Sequence, residues 1–462
     1  MAKENKGSPA MILITVCIAQ FMAPFMLTSV GVALPSLGRE LGASAMQLGL
    51  VEQLYVLSLA MTMLTFGRFG DIIGQRKLFL AGLCVFTLLT SLLGYSNSIH
   101  TVMVFRFVQG IGGSMVLSGS MALVAAAYPP EQRARKIGLV SACTYAGLST
   151  GPVIGGYVTL HFGWRHVFLI TVPIGLAAIG VCLFGMKEME KNARGEHMDW
   201  KGSLAYAVSV GLVMTGAAHA KDVLLGIPLI VAGLAGLVLF IWMEAGSSSP
   251  LLDVRLFSKN RFFTLSCLAA MGNYAATFGL IFLMSLFLQY AKGLSPRQAG
   301  YVLLMQPLMQ VAASLVVGRL TERFDITKVA TSGMLASSTG LLVAAFTMGT
   351  AAPVWMIIAE LMLIGAGFGI FITPNSTAIM GSVERRQYGV ASGMIGAMRT
   401  LGMAVSLTTI SLIFSLCMGK NEINAQTLPA FLLSMRTGLV VYAMFSCLGV
   451  ILSMGRGRKA TL

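Results

Sequence analysis

Long, largely uncharged apolar runs alternate with short polar connections along almost the whole chain. Fourteen runs fall near residues 11–35, 47–67, 78–96, 101–127, 137–160, 165–186, 203–220, 224–243, 262–291, 298–318, 328–348, 353–380, 389–416 and 434–455. Each has the length of about 18 or more residues needed to cross a bilayer core as a helix. The pattern predicts an all-α polytopic membrane protein. The polar lead Met1–Pro9, followed by an apolar run without a small-residue cleavage site, does not read as a cleavable signal peptide.

An even number of crossings puts both termini on one side. If that side is cytoplasmic, 23 of the 32 Lys and Arg residues fall there, 7 fall outside, and Arg106 and Arg399 lie within spans. Cytoplasmic loops carry the excess of basic residues, so both termini are expected in the cytoplasm, in a bacterial plasma or inner membrane.

Composition agrees: 56% of residues are hydrophobic and 11% charged, against roughly a quarter charged in soluble domains. The net charge of +15 sits at the ends of spans. It is not gathered on one surface as nucleic-acid binding requires. Seven cysteines are scattered through apolar runs with no metal-ligand spacing, as small core hydrophobes are. No nucleophile–base or metal cluster appears among the five histidines, so an enzyme is not expected. The glycine-rich stretches GIGGSMVLSG and GAGFG lie in spans rather than after strands, and no phosphate-loop lysine follows them.

One charged island recurs. GRFGDIIGQRK at 67–77 aligns without a gap with GRLTERFDITK at 318–328, pairing Gly67 with Gly318, Arg68 with Arg319, Asp71 with Glu322 and Lys77 with Lys328. Each copy is expected in a cytoplasmic loop between the second and third helices of a six-helix set. The layout is therefore 6 + 2 + 6, with an N-terminal bundle over 1–190, two inserted helices over 191–258 and a C-terminal bundle over 259–462. Parallel half-repeats around a central pathway are a transporter architecture.

These residues carry a family resemblance. GRFGDIIGQRK resembles the loop signature of the major facilitator superfamily, and fourteen helices resemble its drug:proton antiporter branch. RFVQGIGG from Arg106, GLSTGPVIGG from Gly147, WRHVFLITVPIG from Trp164, FLQYAKGLSPRQAGYVLLMQP from Phe287 and RTLGMAVSL from Arg399 are similar to further stretches of that branch. The resemblance spans nearly the entire chain.

It implies a gating role for Gly67, Arg68, Asp71, Gly74, Arg76 and Lys77. The island is read as a latch that favours the state closed at its cytoplasmic end, with Asp71 capping a nearby helix N-terminus or pairing across the boundary between halves. Gly147, Gly151 and Gly155 repeat every four residues, line one helix face and admit a neighbouring backbone. Pro152 bends that helix. Together with Gly156, the resemblance makes it an interface helix that limits leak between halves; ordinary helix packing is the plainer alternative.

Arg106 is an intramembrane cation, costly unless paired or functional. The resemblance implies that it tunes the proton affinity of a nearby carboxylate; a structural ion pair is the alternative. The branch carries an Asp in its first helix, in a pattern like LDxTIVNVALP. Here FMLTSVGVALP places Met26 at the Asp and Gly31 at the Asn. Two acids lie well within spans, Glu52 and then Glu360, and they are the candidate proton carriers, or else interhelical structural acids. Candidate cavity residues are Gln20, Gln53, Tyr55, Gln109, Asn273, Tyr274, Phe278, Gln306 and Arg399.

The implied activity is proton-coupled antiport that exports hydrophobic, cationic or amphiphilic compounds, driven by the proton gradient without a cofactor, by a monomer in the lipid bilayer. An exporter of one metabolite or lipid, an uncoupled facilitator, and a non-transporting scaffold or sensor are the alternatives.

Overall fold

In lipid every backbone polar group needs a partner within the protein, which leaves helices as the way for an open chain to cross. The computed structural model describes residues 8–186, 198–219, 222–246, 251, 260–383, 388–419 and 421–456, and every regular element among them is helical. In the N-terminal half these are α1 (Pro9–Leu41), α2 (Ala45–Ile73), α3 (Gln75–Gly94), α4 (Ile99–Ala127), α5 (Pro130–Phe162), and α6 (Trp164–Leu169) with α7 (Val172–Gly185) as one broken crossing. The inserted pair is α8 (Trp200–Ala218) and α9 (Val223–Gly246). The C-terminal half opens with α10 (Arg261–Thr277), α11 (Leu280–Leu286) and a π-helical turn at Phe287–Ala291, again one crossing. It continues with α12 (Pro296–Arg323), α13 (Ile326–Thr347), α14 (Val354–Met380), α15 (Tyr388–Cys417) and α16 (Leu428–Met454). That makes fourteen crossings, twelve of them long and apolar enough to span a membrane by length and composition alone.

The charged island differs from its expected form. Gly67–Ile73 are the last two turns of α2, and Gln75, Arg76 and Lys77 begin α3. Only Gly74 is non-helical, at φ +109°, a backbone that favours glycine. The signature is a helical corner rather than a loop, because a helix can continue past the apolar core with its charges in water. Gln75 Nε2 donates to Asp71 Oδ1 (3.0 Å), and Arg76 donates to the carbonyls of Cys182 (3.4 Å) and Leu183 (3.2 Å), tying the corner to the end of α7. The N-cap of α3 is Gly74, which has no side chain to cap it. In the second copy a side chain does: Asp325 accepts from the Thr327 (2.9 Å) and Lys328 (3.1 Å) amides at the start of α13.

The repeat reaches further than the island. Ser44 and Gln47 form a capping box at the start of α2, and Ser295 and Gln298 form one at the start of α12. Both pairs are separated by 251 residues, the offset between Gly67 and Gly318. A serine accepting from the third amide while the glutamine reaches back satisfies two otherwise orphaned donors, so the two halves launch their second helices in the same way.

Within the N-terminal half α1 packs on α5, and α4 packs on α2 and α3; within the other half α14 packs on α12 and α13, and α16 on α10 and α13. Between halves α5 meets α12 and α2 meets α15, while α8 lies against both α2 and α15. The inserted pair thus covers the α2–α15 seam.

The halves are sealed at the end of the bundle away from Pro9. Ser285 Oγ donates to the Gly31 carbonyl (2.8 Å), Gln289 Nε2 to Val32 (3.0 Å) and the Tyr290 hydroxyl to Pro35 (3.3 Å). On the facing side Gly156 lies against the Pro296 backbone, and Gly300 against Pro152. At this end Arg165 pairs with Glu40 and also donates to Ser96 O and Asn97 Oδ1, both at 3.1 Å.

Candidate functional site

A central cavity lies just on the Pro9 side of this seal. It encloses about 1210 Å³ of empty space, open mouth included. On α1 it is lined by Gln20 to Leu27, short of the seal at Gly31–Pro35. On α5 its wall is Thr144 and Leu148, short of Pro152; on α15 it is Arg399, Thr400 and Met403, short of Ser411. The α2, α10–α11 and α12 walls follow the same order. All six helices pass from cavity to seal in one direction, so the pathway is shut at one end.

Six of the nine sequence-selected cavity residues line this space: Gln20, Tyr55, Tyr274, Phe278, Gln306 and Arg399. Gln306 follows Tyr55 by 251 residues, so equivalent positions of the two halves face the cavity. Gln310, Thr277, Phe368, Thr144 and Thr400 also line it and were not selected. Gln310 was within reach of periodicity, since it stands four residues after Gln306 and four residues return to the same helix face.

The other three are not in the cavity wall. Gln53 is a junction: it accepts from Ser411 Oγ of α15, and its Nε2 reaches the Met214 carbonyl of α8 at 3.5 Å. One amide therefore joins both halves and the inserted pair. Gln109 accepts from Arg106 (2.8 Å) and donates to Thr90 Oγ1 (2.6 Å). Asn273 is buried, and neither of its amide atoms has a hydrogen-bond partner.

Arg106 and Glu52 meet as a buried ion pair, Nη2 to Oε2 at 3.4 Å. Arg106 Nε donates to the Val51 carbonyl (3.3 Å), and the guanidinium carbon lies 4.4 Å from the centre of the Tyr55 ring. Burying a cation this way costs several kcal/mol unless its donors are used, and here both faces of the fork and the π-face of Tyr55 are engaged. Tyr55 is a lining residue of the cavity, while Arg106 and Glu52 are not. Tyr55 is therefore the partition between cavity and ion pair. Glu52 Oε1 has no hydrogen-bond partner and points toward α1, 3.8 Å from where a Cβ on Gly31 would stand.

Glu360 is placed elsewhere. It is buried in α14, accepts from Thr347 Oγ1 (2.5 Å) and leaves Oε2 without a hydrogen bond. Neither membrane acid lines the cavity, so neither offers a direct partner there to the cationic substrates expected from the sequence.

The antiporter-motif helix divides its contacts. A Cβ on Gly151 would lie 2.9 Å from the Phe25 carbonyl, and one on Gly155 2.8 Å from Ser29 Cα; Gly147 faces the Phe21 carbonyl. These three press α5 onto α1 within one half, and Ser29 Oγ donates to the Gly151 carbonyl at 2.9 Å. Pro152 and Gly156 face the other half instead, through Gly300 and Pro296.

A two-half helical bundle with a central cavity sealed at one end is the architecture of a membrane transporter. The family model of the Major Facilitator Superfamily matches residues 16–407 and again 266–454, and the chain belongs to that superfamily, whose members are transporters rather than enzymes. The chain is 27% identical over 454 residues to the riboflavin transporter RibZ of Clostridioides difficile (strain 630), covering 97% of each. It is 29% identical over 414 residues to the methylenomycin A resistance protein of Bacillus subtilis (strain 168), covering 88% of this chain and 87% of that protein. A bacterial homolog to the human lysosomal transporter Spinster, crystallised in an inward-facing and unoccupied conformation, shares the fold at TM-score 0.69 and 15% identity, covering 99% and 98%.

Proposed function

We propose that this protein exports amphiphilic small molecules from the cytoplasm in exchange for protons, by alternating access. The observation that carries the reading is Tyr55, a lining residue of the cavity whose ring packs on Arg106. Protonation of Glu52 removes half of the ion pair, which releases Arg106 to lean further on Tyr55; a substrate displacing Tyr55 acts on the same ion pair from the other side. The two ligands thus bias one element, which is the physical requirement for coupling. Glu52 supplies from α2 an acid facing α1, where the antiporter branch usually carries its own. The 23:7 distribution of basic residues supports cytoplasmic termini, and on that orientation the present state is open toward the cytoplasm.

The test is substrate efflux in energised inverted vesicles with and without a protonophore. Glu52→Gln abolishes gradient-driven transport while leaving binding measurable; normal driven transport by this variant refutes the assignment of Glu52. A second reading, transport of one defined metabolite, is favoured by the end-to-end match with a riboflavin transporter. A narrow substrate range in the same assay selects it.

A further inference from the structure

Charge in the cavity is one-sided. Among the described residues Arg399 lines it, no Asp or Glu does, and no side chain forms an ion pair with Arg399. The one acid behind the cavity wall, Glu52, lies beyond Tyr55 and is already paired with Arg106. The remaining wall is largely aliphatic, set with aromatic rings, threonine hydroxyls and the amides of Gln20, Gln306 and Gln310. Tyr274 and Phe368 meet edge to face with ring centres 5.3 Å apart, and Phe278 lies alongside in the lining. Gln306 Oε1 is buried without a hydrogen-bond partner.

We infer that the cavity is selective for planar aromatic amphiphiles bearing an anionic group, and selects against organic cations. This rests on the cavity being the substrate site of the transporter proposed above. Each wall places one demand on the occupant. The aromatic group takes a flat ring, since aromatic faces and edges favour stacked or perpendicular partners. Arg399 takes an anionic or strongly accepting edge, for a guanidinium makes its strongest hydrogen bonds to charged acceptors. Gln306 Oε1 takes an N–H or O–H donor, because an unmet buried acceptor is costly. An organic cation can supply the donor that Gln306 takes, but it cannot meet the demand of Arg399 and is repelled by it.

The experiment is equilibrium binding to the purified full-length chain in detergent, which needs no gradient and so is separable from the transport test. Fluorescence polarisation compares fluorescein, an anion, with rhodamine 6G, a cation on a related ring system. Fluorescein is expected to bind more tightly by roughly tenfold to a hundredfold, the weight of a charge-assisted hydrogen bond. Arg399→Gln removes the preference and Arg399→Lys retains it. Competition on the unaltered chain gives an independent result: 2-naphthoate displaces bound fluorescein and 2-naphthylmethylammonium does not. Absent fluorescein binding, rhodamine 6G binding equal or tighter, equal competition by the two naphthyl compounds, or a preference that survives Arg399→Gln overturns the inference. If binding follows this pattern while driven efflux is absent, the fault lies with proton coupling and not with selectivity.

Discussion

Adding a single methyl group at Gly156 is predicted to push the transporter out of the conformation described here. The Cβ of Gly156→Ala would stand 3.1 Å from the Pro296 carbonyl carbon and 3.2 Å from Arg297 Cα, with the Pro296 oxygen closer still. All three are backbone atoms at the start of α12, where the capping box fixes the turn. They cannot yield as a side-chain tip can. Overpacking against such neighbours costs about 1–3 kcal/mol. The contact joins the halves only while this end is sealed, so the cost falls on the sealed state alone and shifts the equilibrium roughly 5- to 150-fold toward the state open at this end. Spin labels at Ser98 and Thr350, exposed at the sealed end of each half, read that separation by double electron–electron resonance. The variant should show a longer distance population that the parent lacks. Gly147→Ala is the control, because its methyl would meet the Phe21 carbonyl within one half. It should lower thermal stability in either state and leave the distance distribution unchanged. An unaltered distribution for Gly156→Ala, or the same lengthening for Gly147→Ala, refutes the assignment of Gly156 to the seal.

Two further outcomes follow from the ion pair and the corner. Arg106→Gln leaves the Glu52 carboxylate buried without its cation and should lower unfolding stability by about 3–5 kcal/mol, seen as a fall in the thermal midpoint. Adding Glu52→Gln to it should recover part of that loss, and a double variant no more stable than Arg106→Gln would argue against a structural pairing. Asp71→Asn weakens the hold of Asp71 on Gln75 (3.0 Å) at the α2–α3 corner and should slow turnover while sparing substrate affinity. Transport kinetics that show the reverse would exclude a gating role for the corner.

The crossings were legible because a span must be apolar for its full length, whatever its neighbours do. The interruptions of the α10–α11 crossing were not. The sequence predicts one helix over 262–291, whereas α10 ends at Thr277 and a π turn occupies Phe287–Ala291; no proline or charge marks either place. The island was recognised but given the wrong shape, since charge and glycine signal a membrane boundary more reliably than the end of a helix. Lining residues divided by a similar logic. Tyr55 and Gln306 stand out as polar groups in apolar runs, but so do Gln53 and Gln109. Only the packing shows that Gln53 and Gln109 spend their amides between helices. Pairing was within reach for Glu52 and Arg106, an acid and a base in one half at comparable depth. That Tyr55 would stand between them and the cavity required the fold.

The amide of Gln53 also bears on how a chain of this length can be shortened. It meets Met214 of the inserted pair with its nitrogen while Ser411 of the opposite half occupies its oxygen. Excising α8 and α9 would expose the α2–α15 seam and strand a donor at lipid depth, where no water can replace the lost acceptor. A twelve-helix descendant of this protein would need an apolar residue at position 53, or a new acceptor nearby, before deletion of the pair became tolerable. The order of those two changes is thus constrained by one side chain.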